Sequence, residues 1–240
     1  AQTGLLAAAS LAPGERVLDV ACGTGLVSLQ AARAVGPRGQ VLGVDLSGHM
    51  VEAAARRAAD EGLPNANFTR MDGEALALPD AGFDVALCAL GLMYMPEPEQ
   101  ALQEMRRVLK PGGRLGLAVW GERAHCAWSA VFPIVDAEVA SEVCPLFFRL
   151  GQEGVLARLC KDAGFHAVTQ QRISATLNYA DADRACDAAF VGGPVALAWA
   201  RFDLGTRERV RSRYLQAIAP WRQGQTYRVP VEFVLLSALR

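Results

Sequence analysis

The residues best suited to chemistry near the start of the chain form a glycine-rich turn after a short apolar run. Residues 17–20 lead into Ala21, Gly23 and Gly25. Glycines between a strand and a helix let the backbone turn sharply and come close to a ligand. Asp19 stands just before the turn, where a carboxylate suits a cationic ligand better than a pyrophosphate. The pattern therefore predicts a ligand site at this turn without naming the ligand.

Two further carboxylates follow predicted strands. Asp45 ends the second one, where a carboxylate can accept hydrogen bonds from both hydroxyls of a ribose. Asp72 follows the third one, and Gly73 beside it would let the backbone approach a ring such as adenine. The carboxyl ends of parallel strands share one edge of a sheet, so these acids and Asp19 are expected to converge. Three acids around one crevice would repel a phosphorylated ligand and favour one that carries ammonium and sulfonium charge.

A dinucleotide is the rival ligand for the glycine-rich turn. The dinucleotide pattern is G-x-G-x-x-G/A, and counting from Gly23 and Gly25 its third position is Ser28. Together with Asp19 and Asp72, this departure disfavours a nicotinamide-dependent oxidoreductase. Calorimetry with both cofactors would separate the two classes.

Four segments together resemble the class I S-adenosylmethionine-dependent methyltransferases, most of all the type 11 small-molecule branch that includes the quinone-biosynthesis methyltransferases. They are VLDVACGTG (17–25), VLGVDLS (41–47), MDGEALALPDAGFDVALC (71–88) and EQALQEMRRVLKPGGRL (99–115). They occur in the family's order and spacing over roughly the first half of the chain. Ala21 is a variation, since many relatives carry the first glycine of the loop there. The resemblance implies an α/β fold with a doubly wound, mostly parallel seven-stranded sheet and S-adenosyl-L-methionine as cofactor.

The resemblance also implies which residues hold the cofactor. The glycine-rich turn with Asp19 would line its methionine end, Asp45 would hold the ribose hydroxyls, and Asp72 would face the adenine amine. Ala89 and Leu90 would lie beside the methyl group. The complete implied set is Asp19, Ala21, Gly23, Gly25, Asp45, Leu46, Met50, Met71, Asp72, Gly73, Ala89 and Leu90.

Candidate acceptor contacts follow the fourth and fifth predicted strands. Met93 and Tyr94 come after the fourth, Trp120 closes the fifth, and His125 begins the irregular segment behind it. Methyl transfer from a sulfonium is an in-line displacement that needs mainly positioning and exclusion of water, so no catalytic residue is predicted. A base is needed only for a poorly ionised hydroxyl or a protonated amine. His125 is either that base or a hydrogen-bonding surface residue, and Met93 is either an acceptor contact or a core residue.

A parallel sheet must bring these residues together, and the first 120 residues predict one. Apolar runs alternate with helical segments there, which is typical of βαβ units. The resemblance implies that the last two strands form an antiparallel edge of the sheet, and two strand-like runs near the end of the chain fit those strands. The predicted strands are 16–21, 40–45, 67–71, 83–89, 114–120, 165–178 and 227–239, and the helices before residue 120 are 24–35, 47–61 and 98–109.

One domain over residues 1–240 is predicted, since this length suits a single α/β domain with insertions. Residues 1–120 are its cofactor-binding half, 121–164 an insert or lid with a helix, and 165–240 the closing strands with a helical insertion. The aromatic and proline-rich stretch 122–160 is either a lid over an apolar acceptor or a second small core. About a dozen residues precede the first strand, so either the chain is trimmed or the pocket is more open than in relatives.

Composition excludes several other classes. Hydrophobic residues make up 52% and charged residues 20%, which argues against disorder. With 24 Lys+Arg against 25 Asp+Glu, the net charge of -1 lacks the basic surplus that nucleic-acid binding needs. The 6 scattered cysteines and 3 histidines signal neither a disulfide framework nor a metal site. No apolar run is long enough to span a membrane and no secretory leader is expected.

The sequence therefore predicts a cytoplasmic S-adenosylmethionine-dependent methyltransferase, monomer or homodimer, acting on O, N or C of a small, apolar or aromatic acceptor. No metal, nucleic acid or membrane span is expected. Besides the oxidoreductase, a non-catalytic binding protein with the same fold stays open. Cofactor binding without turnover on a broad acceptor panel would favour it.

Overall fold

The computed structural model describes residues 1–139 and 146–240, which belong to two structural units. Unit 1 comprises Ala1–Val119, Leu150–Ile173 and Phe233–Arg240, and unit 2 comprises Trp120–Arg149 and Ser174–Glu232. The single domain over residues 1–240 stays a prediction. Cys144 and the part of the predicted insert at 140–145 lie outside the described residues.

Strands and helices alternate through the first part of the chain, as the apolar pattern predicts. The strands are β1 (Arg16–Val20), β2 (Gln40–Asp45), β3 (Ala66–Arg70), β4 (Phe83–Ala89), β5 (Leu109–Trp120), β6 (His166–Tyr179), β7 (Arg222–Gln223) and β8 (Thr226–Leu239). The α-helices are α1 (Gln2–Ala9), α2 (Leu26–Val35), α3 (Gly48–Asp60), α4 (Pro98–Val108), α5 (Val131–Asp136), α6 (Val155–Asp162), α7 (Ala182–Phe190), α8 (Ala196–Arg201) and α9 (Leu204–Ala217).

The strands form one sheet in the order β3-β2-β1-β4-β5-β8-β6, with β7 paired to β8. The pairs β1–β2, β1–β4, β2–β3 and β4–β5 are parallel. Strand β8 runs against β5, because Arg240 N donates to Gly113 O at 2.9 Å whereas Gly121 N donates to Glu232 O at 2.7 Å. The mostly parallel α/β sheet that the sequence predicts is confirmed, and β6 and β8 are neighbours at its end.

The number of strands is a correction. The sequence predicts seven, and the described residues contain eight because β7 pairs with β8 through Arg222 opposite Tyr227. Gly224 begins the two-residue turn between them and has φ 64, a left-handed value that tight hairpin turns favour. A strand of two residues has no alternation of polar and apolar side chains, so the sequence pattern could not indicate it.

Helices cover both faces of the sheet in unit 1. Leu18 of β1 and Ala86 of β4 belong to a buried cluster with residues of α4 and α6. Their neighbours Val17 and Val85 belong to a second cluster with residues of α1 and α2. Consecutive side chains of a strand point to opposite faces, so the two clusters are the two cores of a doubly wound sheet.

An aromatic cluster lies in the insert part of unit 2. The ring centroid of Trp128 is 5.0 Å from Trp120, 5.7 Å from Phe132 and 5.9 Å from Phe147. These tilted and edge-on geometries are the favourable ones for aromatic pairs. The rings pack as a small core, and the role of residues 122–160 as a lid stays a prediction.

Helices α7, α8 and α9 form the other part of unit 2, where the sequence predicts helical pieces. Phe190 stacks on Trp199 with centroids 4.3 Å apart and meets Tyr214 edge-on at 5.3 Å. Asp181 and Asp203 cap α7 and α9, each accepting at 2.7 Å from the backbone N–H three residues later. Such caps satisfy amides that a helix start leaves unpaired, which fixes where each helix begins.

Arg107 of α4 holds the loop that leads from β3 to β4. Its guanidinium donates to the carbonyls of Leu76 and Leu78, each at 2.8 Å, and to the carboxylates of Glu104 at 2.8 Å and Asp80 at 2.6 Å. Guanidinium groups donate from a fixed planar fork, so one arginine can fix several acceptors at once.

We expect Arg107→Ala to lower the free energy of unfolding by about 2–3 kcal/mol, because several acceptors lose a charged donor. Urea unfolding measures the loss. Arg106→Ala is the matched control, since Arg106 makes one hydrogen bond within residues 1–139 and 146–240, to Gly164 O at 3.0 Å. Equal losses for the two variants would contradict the role given to Arg107.

Candidate functional site

A cavity of about 520 Å³ lies in unit 1 at the carboxyl ends of β1 to β4. This is the edge where open α/β sheets bind ligands, and the volume falls in the range of small-molecule sites. Its lining residues are Ala21, Gly23, Asp45, Leu46, Ser47, Met50, Met71, Asp72, Gly73, Glu74, Leu90, Gly91, Tyr94, Met95 and Pro96.

Most residues that the resemblance implies for the cofactor meet in this cavity, although they come from four separate segments. Three do not line it. Asp19 is buried beneath the turn, Ala89 ends β4, and Gly25 precedes α2. A Cβ added to Gly25 would lie 3.2 Å from the Ala54 Cβ and 3.3 Å from Phe68 Cζ, so Gly25 lets helix α2 pack closely.

Asp45 anchors the glycine-rich turn. Its Oδ2 accepts from Gly23 N and its Oδ1 from Ser47 N, both at 2.9 Å. Gly23 has φ 55, a left-handed value that glycine adopts without steric cost. Each carboxylate oxygen has a second lone pair, so Asp45 can accept from ligand hydroxyls while it holds the turn.

Gly73 lines the cavity just after β3. A Cβ there would be 2.8 Å from Met95 Cε and 2.9 Å from Val20 Cγ1. The neighbouring Asp72 is exposed, and its Oδ1 accepts from Glu74 N at 2.9 Å. A side chain at position 73 would displace Met95 or Val20, so glycine leaves backbone next to the cavity.

Asp19 is the buried acid of the site, with 1% of its surface exposed. Ser28 Oγ donates to its Oδ2 at 2.5 Å, whereas its Oδ1 has no hydrogen-bond partner among residues 1–139 and 146–240. Burial raises the pKa of Asp19 from 3.8 to about 7. The burial of Cys88, together with the nearby Asp19 charge, raises the pKa of its thiol to about 12, so that thiol stays protonated at neutral pH.

The charge of the lining decides what the cavity can hold. Asp45, Asp72 and Glu74 contribute carboxylates, and the described lining contains no lysine or arginine. A phosphate would be repelled, whereas a cation with hydroxyl and amine donors would be attracted. Leu46 is 64% exposed and Tyr94 53%, so apolar surface is available for an aromatic ring or alkyl chain.

The other predicted acceptor contacts, Met93, Trp120 and His125, are not among the lining residues. Met93 packs against the core cluster shared by β1, β4 and α4. Trp120 and His125 belong to unit 2. Sequence reasoning missed five residues of the lining: Ser47, Glu74, Gly91, Met95 and Pro96. Each stands within three positions of a residue that the sequence singles out. All five follow the end of a predicted strand, and that position is the signal that could have indicated them.

Glu232 is a partner of His125 that the sequence does not indicate. His125 Nδ1 lies 3.1 Å from Glu232 Oε1, and Glu122 N donates to Oε2 at 3.1 Å. A Cβ on Gly121 would be 2.2 Å from that Oε2, so glycine makes room for the carboxylate. The residues of this pair are 107 positions apart in the chain, which no local pattern can connect. The role of His125 as a base stays a prediction.

Comparison with known proteins identifies the family. A family model described as "Methyltransferase domain" matches residues 17–113. The chain is 42% identical over 176 residues to the ubiquinone/menaquinone biosynthesis C-methyltransferase UbiE of Pseudomonas paraeruginosa, a match that covers 67% of this chain and 69% of that protein. The chain belongs to the class I S-adenosylmethionine-dependent methyltransferases. The resemblance read from the four sequence segments is thereby confirmed.

Two other relatives match the chain over a smaller share of their own length. The UbiE protein of Ectopseudomonas mendocina is 45% identical over 104 residues, which cover 43% of this chain and 41% of that protein. A protein from a transposon of Streptomyces fradiae is 39% identical over 181 residues, 74% of this chain and 51% of its own length. The chain thus spans about half the length of these curated relatives.

Solved structures share the fold over the whole chain. The YcgJ protein of Bacillus subtilis has a TM-score of 0.67 and 21% identity, covering 100% of this chain and 97% of its own. The cyclase SpnF has a TM-score of 0.64 and 25% identity, covering 100% of this chain and 79% of its own. One fold supports different reactions, so the activity must be argued from the site.

The longest α-helix of the described residues, α9, has 14 residues. None of their helices combines the length and the apolar character needed to cross a membrane. In residues 1–139 and 146–240, no group of three or more His, Cys, Asp or Glu side chains is arranged to hold a metal ion.

Proposed function

We propose that this chain transfers a methyl group from S-adenosylmethionine to O, N or C of a small, apolar or aromatic acceptor. The observation that carries the proposal is the acidic lining of the cavity. Asp45, Asp72 and Glu74 surround a space with no basic side chain among its described lining residues. That charge matches a ligand with an ammonium and a sulfonium, and it opposes the pyrophosphate of a nicotinamide cofactor.

The lining residues fit the parts of the proposed cofactor. Asp45 would accept from the ribose hydroxyls, because its oxygens keep free lone pairs beside the two amides they already hold. Leu46 and Met50 offer apolar surface for the adenosine, and Asp72 a carboxylate for the adenine amine. Ala21, Gly23 and Leu90 would surround the methionine end, with the buried Asp19 charge beneath the turn.

The chemical work of the protein in this proposal is positioning. The bound cofactor would supply a methyl group on a positively charged sulfur, and the acceptor atom would bond to the methyl carbon in line while the carbon–sulfur bond breaks and S-adenosylhomocysteine leaves. Tyr94 and Met95 follow β4 and line the same cavity, and they would orient the acceptor and exclude water. No side chain needs to form a covalent bond, and the neutral Cys88 thiol is not required as a nucleophile.

Calorimetry followed by a transfer assay tests the proposal. S-adenosylmethionine and S-adenosylhomocysteine are expected to bind, and NAD and NADP are not. Radiolabelled methyl transfer is then measured across phenols, catechols, amines and carbon acids. Binding of NAD or NADP without any response to S-adenosylmethionine would overturn the proposal, and cofactor binding without transfer to any acceptor would favour a non-catalytic binding protein.

We further propose that the protein acts in the cytoplasm, as a monomer or homodimer, on small molecules rather than nucleic acids. The cysteines among the described residues are buried and free, which suits a reducing compartment. The net charge of -1 disfavours a nucleic-acid partner. Light scattering tests the oligomeric state, and RNA filter binding tests the exclusion of nucleic acids. Salt-sensitive RNA binding would contradict that exclusion.

A further inference from the structure

Two turns that line the cavity meet at Ala21 and Gly91. Ala21 follows β1 and Gly91 follows β4, and these strands are parallel neighbours with Asp19 opposite Leu87. A Cβ added to Gly91 would lie 2.3 Å from the Ala21 Cβ and 3.1 Å from Cys88 Sγ. The Ala21 methyl therefore fills the space that a side chain at position 91 would need.

The backbone at these positions favours the opposite choice of residues. Ala21 has φ 57, in the left-handed region that is costly for an L residue and free of cost for glycine. Gly91 has φ -105 and ψ -40, which an alanine can adopt. Judged by backbone conformation alone, glycine belongs at position 21 and alanine is acceptable at position 91.

Hydrogen bonds to the outer neighbouring strands fix the position of each turn. Cys22 N donates to Val44 O at 2.9 Å, which fixes the first turn to β2. Leu90 N donates to Ala118 O at 2.7 Å, which fixes the second turn to β5. Leu90 is itself left-handed, with φ 59. The contact between the turns is therefore imposed by the sheet.

We propose that the Ala21 methyl is a cofactor contact that narrows the cavity between the two turns, and that Gly91 makes room for it. The inference rests on the proposed function, in which this end of the cavity holds the methionine part of the cofactor. Backbone strain persists where the surrounding structure imposes it, and strained residues cluster at ligand sites. Ala21 is such a residue, because it adopts a conformation that favours glycine. It faces Gly91, whose own backbone conformation does not require glycine.

Three variants test the inference with S-adenosylhomocysteine as the calorimetric probe and the melting temperature Tm as the second readout. Ala21→Gly should leave Tm unchanged or higher, because the strain is relieved, and should weaken binding about fivefold, the value of one methyl contact. Gly91→Ala should lower both Tm and affinity, the latter by about tenfold or more. The double variant A21G/G91A should recover the wild-type Tm while its affinity stays about fivefold reduced.

A glycine with free space around it provides the control. Gly82→Ala should change neither readout, because its nearest neighbour is Pro79 O at 3.5 Å. Wild-type affinity in A21G would show that the methyl is no contact and overturn the inference. A wild-type Tm in G91A, or no recovery in the double variant, would show that the two residues do not compete for space. Failure of the wild type to bind S-adenosylhomocysteine would instead overturn the proposed function.

Discussion

Replacing Asp19 by asparagine should raise the free energy of unfolding above neutral pH by up to roughly 4 kcal/mol. Burial raises the pKa of Asp19 from 3.8 to about 7 in the folded state. Between these values the folded protein holds a proton that the unfolded chain has released, so the free energy of unfolding falls as the pH rises. Asparagine has nearly the shape of the protonated acid and cannot ionise, so the variant avoids this loss.

Urea unfolding from about pH 4 to about pH 8 checks this result as the difference between variant and wild type. The difference is needed because other acids act with the opposite sign. Hydrogen bonds from Arg107 hold the pKa of Glu104 below its ordinary value, so its contribution to stability is lost as the pH falls. A constant difference for Asp19→Asn would contradict the raised pKa.

Asp19→Asn should also weaken binding of S-adenosylmethionine, which would explain why the chain keeps a destabilising acid. The buried Oδ1 of Asp19 lacks a partner within the described part of the chain. A negative charge beneath the turn would favour the cationic cofactor across a medium of low dielectric constant. A variant that is more stable and binds more weakly is the expected result, since active sites often trade stability for function.

The second large effect is expected from Asp45→Ala, which should weaken binding of S-adenosylhomocysteine by roughly 1–3 kcal/mol, or about 5-fold to 150-fold. The variant removes the acceptor proposed for the ribose hydroxyls. It also releases Gly23 N and Ser47 N, which Asp45 holds at 2.9 Å. Isothermal titration calorimetry measures the change in affinity.

Two further variants show whether the loss is specific to the Asp45 carboxylate. Asp60→Ala changes an exposed carboxylate at the end of α3 and should leave the affinity unchanged. Asp45→Asn keeps one carbonyl oxygen, so its affinity should fall between those of the wild type and Asp45→Ala. Unchanged affinity in Asp45→Ala would mean that the ribose is bound elsewhere.

Local patterns were sufficient to predict the strands and α-helices between residues 16 and 120, whereas α1 (Gln2–Ala9) was not predicted. The predicted strand over 83–89 coincides with Phe83–Ala89, and Ser47 caps α3 by accepting from Met50 N at 3.4 Å. Apolar alternation and helix caps involve residues that are close in the chain, so the sequence alone indicates them. The predicted strand from 114 begins at Leu109, because a register shift near Val85 lets the residues after α4 continue the pairing.

The candidate site was predictable only in part. Asp45 and Asp72 line the cavity because residues just past parallel strands must emerge at one edge of the sheet. Met93, which the sequence could not separate from a core residue, packs against the core, whereas the adjacent Tyr94 lines the cavity. The choice between two adjacent residues depends on the short helical turn after β4, which the pattern does not specify.

The sequence by itself determined the family, the order of the first strands and helices, and the acids at the strand ends, since all of these follow from short motifs and their spacing. Tertiary structure alone decided that Asp19 is buried with a raised pKa, that Glu232 meets His125, and that Ala21 occupies the space beside Gly91. The physical reason is that burial and close contact depend on which strands pair and in which register. Those pairings join segments that are far apart in the chain, and local periodicity carries no information about them.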